Sequence, residues 1–125
     1  MNALNNVMTT QEVAARFNEL AQQEKWFEIQ DELFADNVRS VEPTGSPYFN
    51  NAEGKDPVRK KGEAWVMKVQ ALHSAHTTSP IVSGDHFAVG RGVDITVEGF
   101  GRVKLDQVML YEVKGGQIVL EQFFY

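Results

Sequence analysis

Cysteine is absent from the 125 residues, which excludes disulfides, thiolate nucleophiles and cysteine-based metal centres. Histidine is scarce. His73, His76 and His86 show no spacing with acidic residues that would suggest a metal site, so no metal is expected. Nor is there an excess of positive charge: 17 acidic and 12 basic residues give a net charge of −5. A chain so balanced carries no electrostatic footprint for nucleic acid. Its one basic cluster, Arg59-Lys60-Lys61, reads as a solvated helix face. No apolar run approaches a membrane span, and residues 1–8 lack the charged and apolar regions of a signal peptide. The expectation is a cytoplasmic domain that contacts neither membrane nor nucleic acid.

What is present fits one domain with its own core. Residues 1–8 read as a flexible leader before a single domain over 9–125. Thr9-Thr10-Gln11-Glu12 has the form of a capping box, and Val13, Phe17, Leu20 and Ala21 follow at helical spacing, predicting a helix over 10–23. Trp26, Phe27, Ile29, Leu33 and Phe34 mark a second helix, which Ala35-Asp36-Asn37 ends. Val38–Glu42 reads as a short strand stopped by Pro43. Residues 44–55, rich in Gly, Pro, Ser and Asn, form a long loop in which Tyr48 and Phe49 either cap a pocket or anchor the loop. Asp56-Pro57 opens a third helix, with Val58, Trp65, Val66, Val69 and Leu72 along one side. Gly62 inside it costs about 1 kcal/mol against alanine, a sign of close packing.

The remainder is β: residues 72–77 and 81–83 as one strand bent near Pro80, then 86–97, 102–113 and 117–125, with turns at Gly84-Asp85, Gly99–Gly101 and Gly115-Gly116. Helices segregated to one face of a curled antiparallel sheet define an α+β fold.

Several segments, in order, resemble one family. Leu33–Pro43 is similar to the "lyaddv…vdP" stretch of SnoaL-like proteins in the nuclear transport factor 2-like and ketosteroid isomerase-like superfamily. Gly54–Val58 resembles their "GkeaI" helix start, Ser83–Val89 their "adGdrvav", and Tyr111 with Gly115–Val119 their "y.v.dGkIv". Leu72-His73-Ser74-Ala75 and the Glu121–Tyr125 ending resemble one subgroup. The resemblance implies a cone-shaped α+β barrel, in which three helices pack on a strongly curved antiparallel or mixed sheet around a largely apolar cavity. It also implies a homodimer through the outer sheet face and a small apolar ligand. Fold alone names no reaction, since isomerases, cyclases, dehydratases and binding modules share it.

By that resemblance Glu42, immediately before Pro43, matches the proton-shuttling aspartate of ketosteroid isomerase. A carboxylate facing an apolar cavity is the setting for a general base; the bland alternative is a rim residue bonded to a loop amide. With Ile118 in the place of the family's "GkI" isoleucine, alternation turns Glu121, Phe123 and Tyr125 to the cavity and Leu120, Gln122 and Phe124 away. Glu121 could then share a proton with Glu42, or else pair with a cation across the sheet. His73 is a candidate relay near neutral pH or a satisfied packing residue. The oxyanion-hole tyrosine and aspartic acid of ketosteroid isomerase fall near Phe17 and Met109, neither of which donates a strong hydrogen bond, so that mechanism is disfavoured. Asp106 could substitute only if a bulge reversed its strand parity. The catalytic candidates are thus Glu42, His73 and Glu121, and the ligand-binding candidates Phe17, Trp65, Met109, Phe123 and Tyr125, with no cofactor.

Strand 86–97 sets two signals against each other. The family pattern puts Ala88, Gly90, Gly92 and Asp94 on the concave side, whereas binary patterning puts Phe87, Val89 and Val93 there. A buried dimer interface would reconcile them and leave Arg91 in need of a partner at that interface. Three functions stay open: acid/base catalysis on a small carbonyl or hydroxyl compound, ligand binding without turnover, and a dimeric interaction module.

Overall fold

Helix α1 (Thr10–Ala21) starts at the expected capping box: the Glu12 amide donates to Thr9 Oγ1 at 3.1 Å, and the Thr9 amide donates to Glu12 Oε1 at 2.9 Å. The computed structural model describes residues 7–125, so the greater part of the expected leader lies outside the described residues. Val13, Ala14, Phe17, Leu20 and Ala21 form the buried stripe of α1. The helix closes two residues earlier than its periodicity suggests. Glu24 adopts a left-handed φ of 57°, and the Lys25 amide bonds back to the Leu20 carbonyl. Helix α2 (Trp26–Leu33) follows, burying Ile29 and Leu33.

The chain passes from α2 directly into strand β1 (Phe34–Val41), so Ala35-Asp36-Asn37 is strand and not a helix terminator. These residues fall in an irregular stretch between two pairings with the last strand, Phe34 with Ile118 and Arg39 with Leu120. There the turn-forming Asp and Asn are tolerated because they need not complete a regular ladder. The loop expected over 44–55 holds a two-residue strand, β2 (Ala52–Glu53), paired antiparallel with β1. Helix α3 (Lys55–Lys68) begins two residues earlier than the Asp56-Pro57 pair suggests. Gly54, at φ 96°, is its N-cap, and Asp56 lies in its first turn.

Strand β3 starts at Val69 and runs to Thr77, so Val69 and Leu72 belong to the sheet rather than to α3. With β4 (Ile81–Ser83) it lines one edge of β5 (His86–Val97), the two interrupted near Pro80 as anticipated. Strands β6 (Gly101–Lys114) and β7 (Gln117–Phe124) complete a seven-stranded mixed sheet in the order β2-β1-β7-β6-β5-β3, with β4 beside β5. The closing strand is therefore internal, parallel to β1 and antiparallel to β6.

Binary patterning prevails on β5. Phe87, Val89, Ile95 and Val97 are buried, and Arg91 and Val93 line the interior with them. The even-numbered residues Ala88, Gly90, Gly92 and Asp94 thus take the outer face, contrary to the family-pattern expectation. Gly92 has its own reason to be small, because a Cβ there would run into the His76 ring and come within 2.9 Å of Asp106 Oδ1. Asp106, its cross-strand partner, is an outer-face residue. Gly62 meets its expectation: a Cβ would lie 3.1 Å from Phe27 Cε1, so α3 approaches α2 closely at that point.

Phe17 anchors the main core, with ring centroids 5.8, 5.1 and 4.7 Å from Trp26, Phe87 and Tyr111. Truncating Phe17 to alanine should cost about 3–5 kcal/mol of unfolding free energy, read from urea denaturation; a loss under about 1 kcal/mol would contradict its central position.

Candidate functional site

Between α2, α3 and the inner sheet face lies a cavity of about 570 Å³ with mostly apolar walls. Its polar groups come together because β1 and β7 run in parallel with Ser40 beside Glu121. The Ser40 hydroxyl donates to Glu121 Oε2 at 2.7 Å. On α3, residues 58, 61, 62 and 65 share one face, so Lys61 enters the cavity between Val58 and Trp65. Its ammonium donates to Ser40 Oγ at 2.6 Å and to Glu42 Oε2 at 2.7 Å. Glu42 accepts a second bond from the Tyr125 hydroxyl at 2.8 Å, while its backbone amide donates to Asn51 Oδ1 at 2.7 Å. The Tyr125 oxygen also lies 2.5 Å from Ser46 Oγ, which in turn accepts from the Tyr48 and Phe49 amides. The 44–51 loop is thereby tied to the carboxylate cluster.

The two glutamates differ in what surrounds them. Glu42 is engaged by an ammonium, a phenol and a loop side chain. Glu121 accepts only from Ser40 among the described residues. Burial raises its pKa from 4.5 to about 7, with the Ser40 hydrogen bond and the Lys61 charge pulling downward and the Glu42 charge pushing upward. One cation thus faces two carboxyls, and the second retains a proton to near neutrality. The Tyr125 phenol is also pushed upward, first by burial, with Ser46 opposing and Glu42 adding to the rise.

Glu42, Glu121, Trp65, Met109 and Phe123 all line the cavity, and Tyr125 joins them through Glu42. Ile118 is buried in the core, and strict alternation from it would turn Leu120, Gln122 and Phe124 inward, so alternation alone does not give the expected inward set of Glu121, Phe123 and Tyr125. A register shift between the pairs Val113–Ile118 and Glu112–Leu120 reverses the parity and turns both Ile118 and Glu121 inward. Phe17 does not reach the cavity; it is core behind Tyr111. His73 is not brought to the site. A register irregularity between Leu72 and Ser74 leaves His73 exposed, where it bonds Thr96 Oγ1 at 2.8 Å.

Four residues escaped the sequence reading: Ser40, Lys61, Arg91 and Tyr111. Lys61 was legible, since 58, 61 and 65 fall on one helical face, but the basic run masked it. Arg91, which the interface reading left in need of a partner, has partners within the chain. Its guanidinium bonds Glu24 at 2.9 Å and Thr77 Oγ1 at 3.0 Å and lies 4.5 Å from the Trp26 ring centre. Among the described residues, no group of three or more His, Asp or Glu side chains could hold a metal ion, and no helix is long and apolar enough to cross a membrane.

A cone-like α+β fold enclosing a mostly apolar cavity with a few buried polar groups defines the nuclear transport factor 2-like, ketosteroid isomerase-like class. Residues 8–125 match the SnoaL-like domain, and the chain belongs to that family. It is similar to a provisionally named SnoaL-like polyketide cyclase from Mesorhizobium loti, at 34% identity over 94% of this chain and 100% of that one, TM-score 0.88. A second provisionally named SnoaL-like polyketide cyclase, from Jannaschia sp. CCS1, shares 15% identity over 99% and 88% of the chains, TM-score 0.70. A hypothetical protein of ketosteroid isomerase-like fold from Catenulispora acidiphila, in complex with trimethylamine, shares 17% identity over 94% and 87%, TM-score 0.66. The last two likenesses concern the fold alone. No curated protein matches the chain.

Glu121 binds its proton more tightly folded than unfolded, so its contribution to stability is complete below pH 4.5 and is lost as pH rises through about 7. The span corresponds to roughly 3 kcal/mol. Glu121→Gln should flatten that decline in urea denaturation measured across the window; an unchanged slope would place the titration elsewhere. Lys61→Met leaves the Glu42 carboxylate buried without its cation and should cost about 3–5 kcal/mol. Part of that loss should return in the Lys61→Met, Glu42→Gln double variant, and no recovery would argue against the ion pair as the cause.

Proposed function

We propose that this protein holds a small, mostly apolar carbonyl compound and moves a proton on it by cofactor-independent acid/base chemistry, with Glu121 as the proton-transferring group. The observation that carries this reading is a fully buried carboxyl in a cavity wall with a pKa of about 7, where a group both takes and returns protons readily. As a carboxylate, Glu121 removes a proton from the carbon beside the carbonyl. The C–H electron pair becomes a C=C bond, and the carbonyl π pair moves onto oxygen. Where a C=C bond is conjugated with the enolate, return of the proton from Glu121 to the far carbon, with the oxygen pair re-forming the carbonyl, completes an isomerisation; attack of the enolate carbon on a second carbonyl of the same molecule, with the proton passing from Glu121 to the alkoxide so formed, completes a cyclisation. Lys61, Glu42 and Ser40 hold Glu121 in place and set its charge.

This assignment shifts the leading role from Glu42 to Glu121, because Glu42 is occupied by Lys61 and Tyr125. The polyketide cyclase description of the Mesorhizobium loti protein supports the chemistry, since ring closure of a polyketone begins with proton removal beside a carbonyl. Ligand binding without turnover is the competing reading, favoured by the apolar Phe17 and Met109 at the positions that the resemblance matches to the donors of ketosteroid isomerase.

Mass spectrometry of compounds retained by the purified protein, followed by a turnover screen of related β-dicarbonyl compounds, decides between them. Glu121→Gln should fold normally and lower kcat on a discovered substrate at least about 100-fold; full activity in that variant would remove Glu121 from the role. A retained compound that no assay converts would favour the binding reading. We further propose a homodimer through the outer sheet face, where Val108 and Phe124 are cross-strand partners and both exposed. Sedimentation equilibrium should report twice the chain mass, and a monomer at all concentrations would refute it.

A further inference from the structure

Tyr111 is almost wholly buried and lines the cavity, and its side chain makes no hydrogen bond among the described residues. Gln30 Oε1, not the Tyr111 oxygen, is the side-chain atom closed off without a partner among those residues, so the Tyr111 hydroxyl opens onto the cavity. Its ring is fully accounted for: it stacks on Phe87 at 5.0 Å between centroids and rests against Phe17 at 4.7 Å. The hydroxyl is not. A hydroxyl open to the cavity can donate to whatever the cavity holds, which phenylalanine, with the same ring, could not do. Its position is informative as well. Tyr111 and Glu121 are directly paired across β6 and β7, close enough for both side chains to meet one bound molecule.

We propose that the Tyr111 hydroxyl donates a hydrogen bond to the oxygen of the bound compound, so that the cavity selects ligands presenting a carbonyl or enolate oxygen beside the carbon that Glu121 serves. This inference rests on the reading of the cavity as a small-molecule site. Burial and the neighbouring Glu121 charge keep the phenol protonated, with Arg91 opposing weakly, so Tyr111 remains a donor across the neutral range. It therefore stabilises negative charge developing on oxygen without itself exchanging a proton.

The test compares 4-nitrophenolate, which carries a charged oxygen acceptor, with 4-nitrotoluene, its near isostere without one. Calorimetric titrations use Glu121→Gln protein, so that no second negative charge opposes the phenolate, with and without Tyr111→Phe. The added Tyr111→Phe should weaken 4-nitrophenolate binding about tenfold or more and change 4-nitrotoluene binding less than about twofold. Equal affinity for the phenolate in both proteins, equal losses for both probes, or no phenolate binding to the Glu121→Gln protein would each overturn the proposal. Tyr111→Phe alone should leave the urea midpoint unchanged or raise it. A lower midpoint would reveal a partner for the hydroxyl within the protein and overturn the proposal too. Failure to find any turnover would sink the acid/base reading while leaving this binding comparison intact.

Discussion

The parallel pairing of β1 with β7 is the constraint on which the site depends. It joins residues some eighty positions apart and sets Ser40 directly beside Glu121. Two irregularities tune it: the stretch between Phe34 and Arg39 on one strand, and the shift between Ile118 and Leu120 on the other. Without the second, either Ile118 would leave the core or Glu121 would leave the cavity. A one-residue slip in a strand reverses every side chain beyond it, so a single extra residue near position 119 separates a buried acid from a surface one.

Charge in this pocket is arranged by scarcity. Lys61 is the ammonium within reach, and Glu42 takes its direct contact. Ser40 stands between, accepting from Lys61 and donating to Glu121, and so transmits part of the stabilisation while leaving the second carboxyl short of compensation. Burial first, and this incomplete compensation after it, leave Glu121 poised near neutrality. At the far wall Arg91 is neutralised by Glu24 and stacked on Trp26, so its charge does little to alter that balance.

Much of the fold was legible in the sequence, because capping, helical periodicity and glycine turns act over a few residues. The Thr9 box, the stripe of α1 and the three hairpin turns fall where local chemistry demands. The misreadings share a cause. Asp36 and Asn37 look like a helix stop, yet long-range pairing draws them into β1. His73 is displaced to the outer face by an irregularity that no local pattern announces. Lys61 was hidden by its own neighbours, since a basic run suggests solvent while the spacing from Val58 to Trp65 indicates the interior. Arg91 was assigned to an interface because a charged residue on a core-facing strand seemed to need an outside partner; Glu24, held in a left-handed turn after α1, supplies one within the chain. Glu42 and Glu121 were recognised as site residues, but their division of labour depends on distances that sequence does not contain.

Helix α3 contributes the ammonium, the Trp65 wall and the gap at Gly62, yet Val58 is its one fully buried residue among those described. The helical wall of the cavity is therefore attached to the remainder of the molecule far more lightly than the sheet that carries the acid. Such a division lets the cavity change shape through small shifts or substitutions along one helix while the β1–β7 carboxyl cluster stays as it is. Modularity of this kind gives a single scaffold room to vary its cavity without rebuilding its polar cluster.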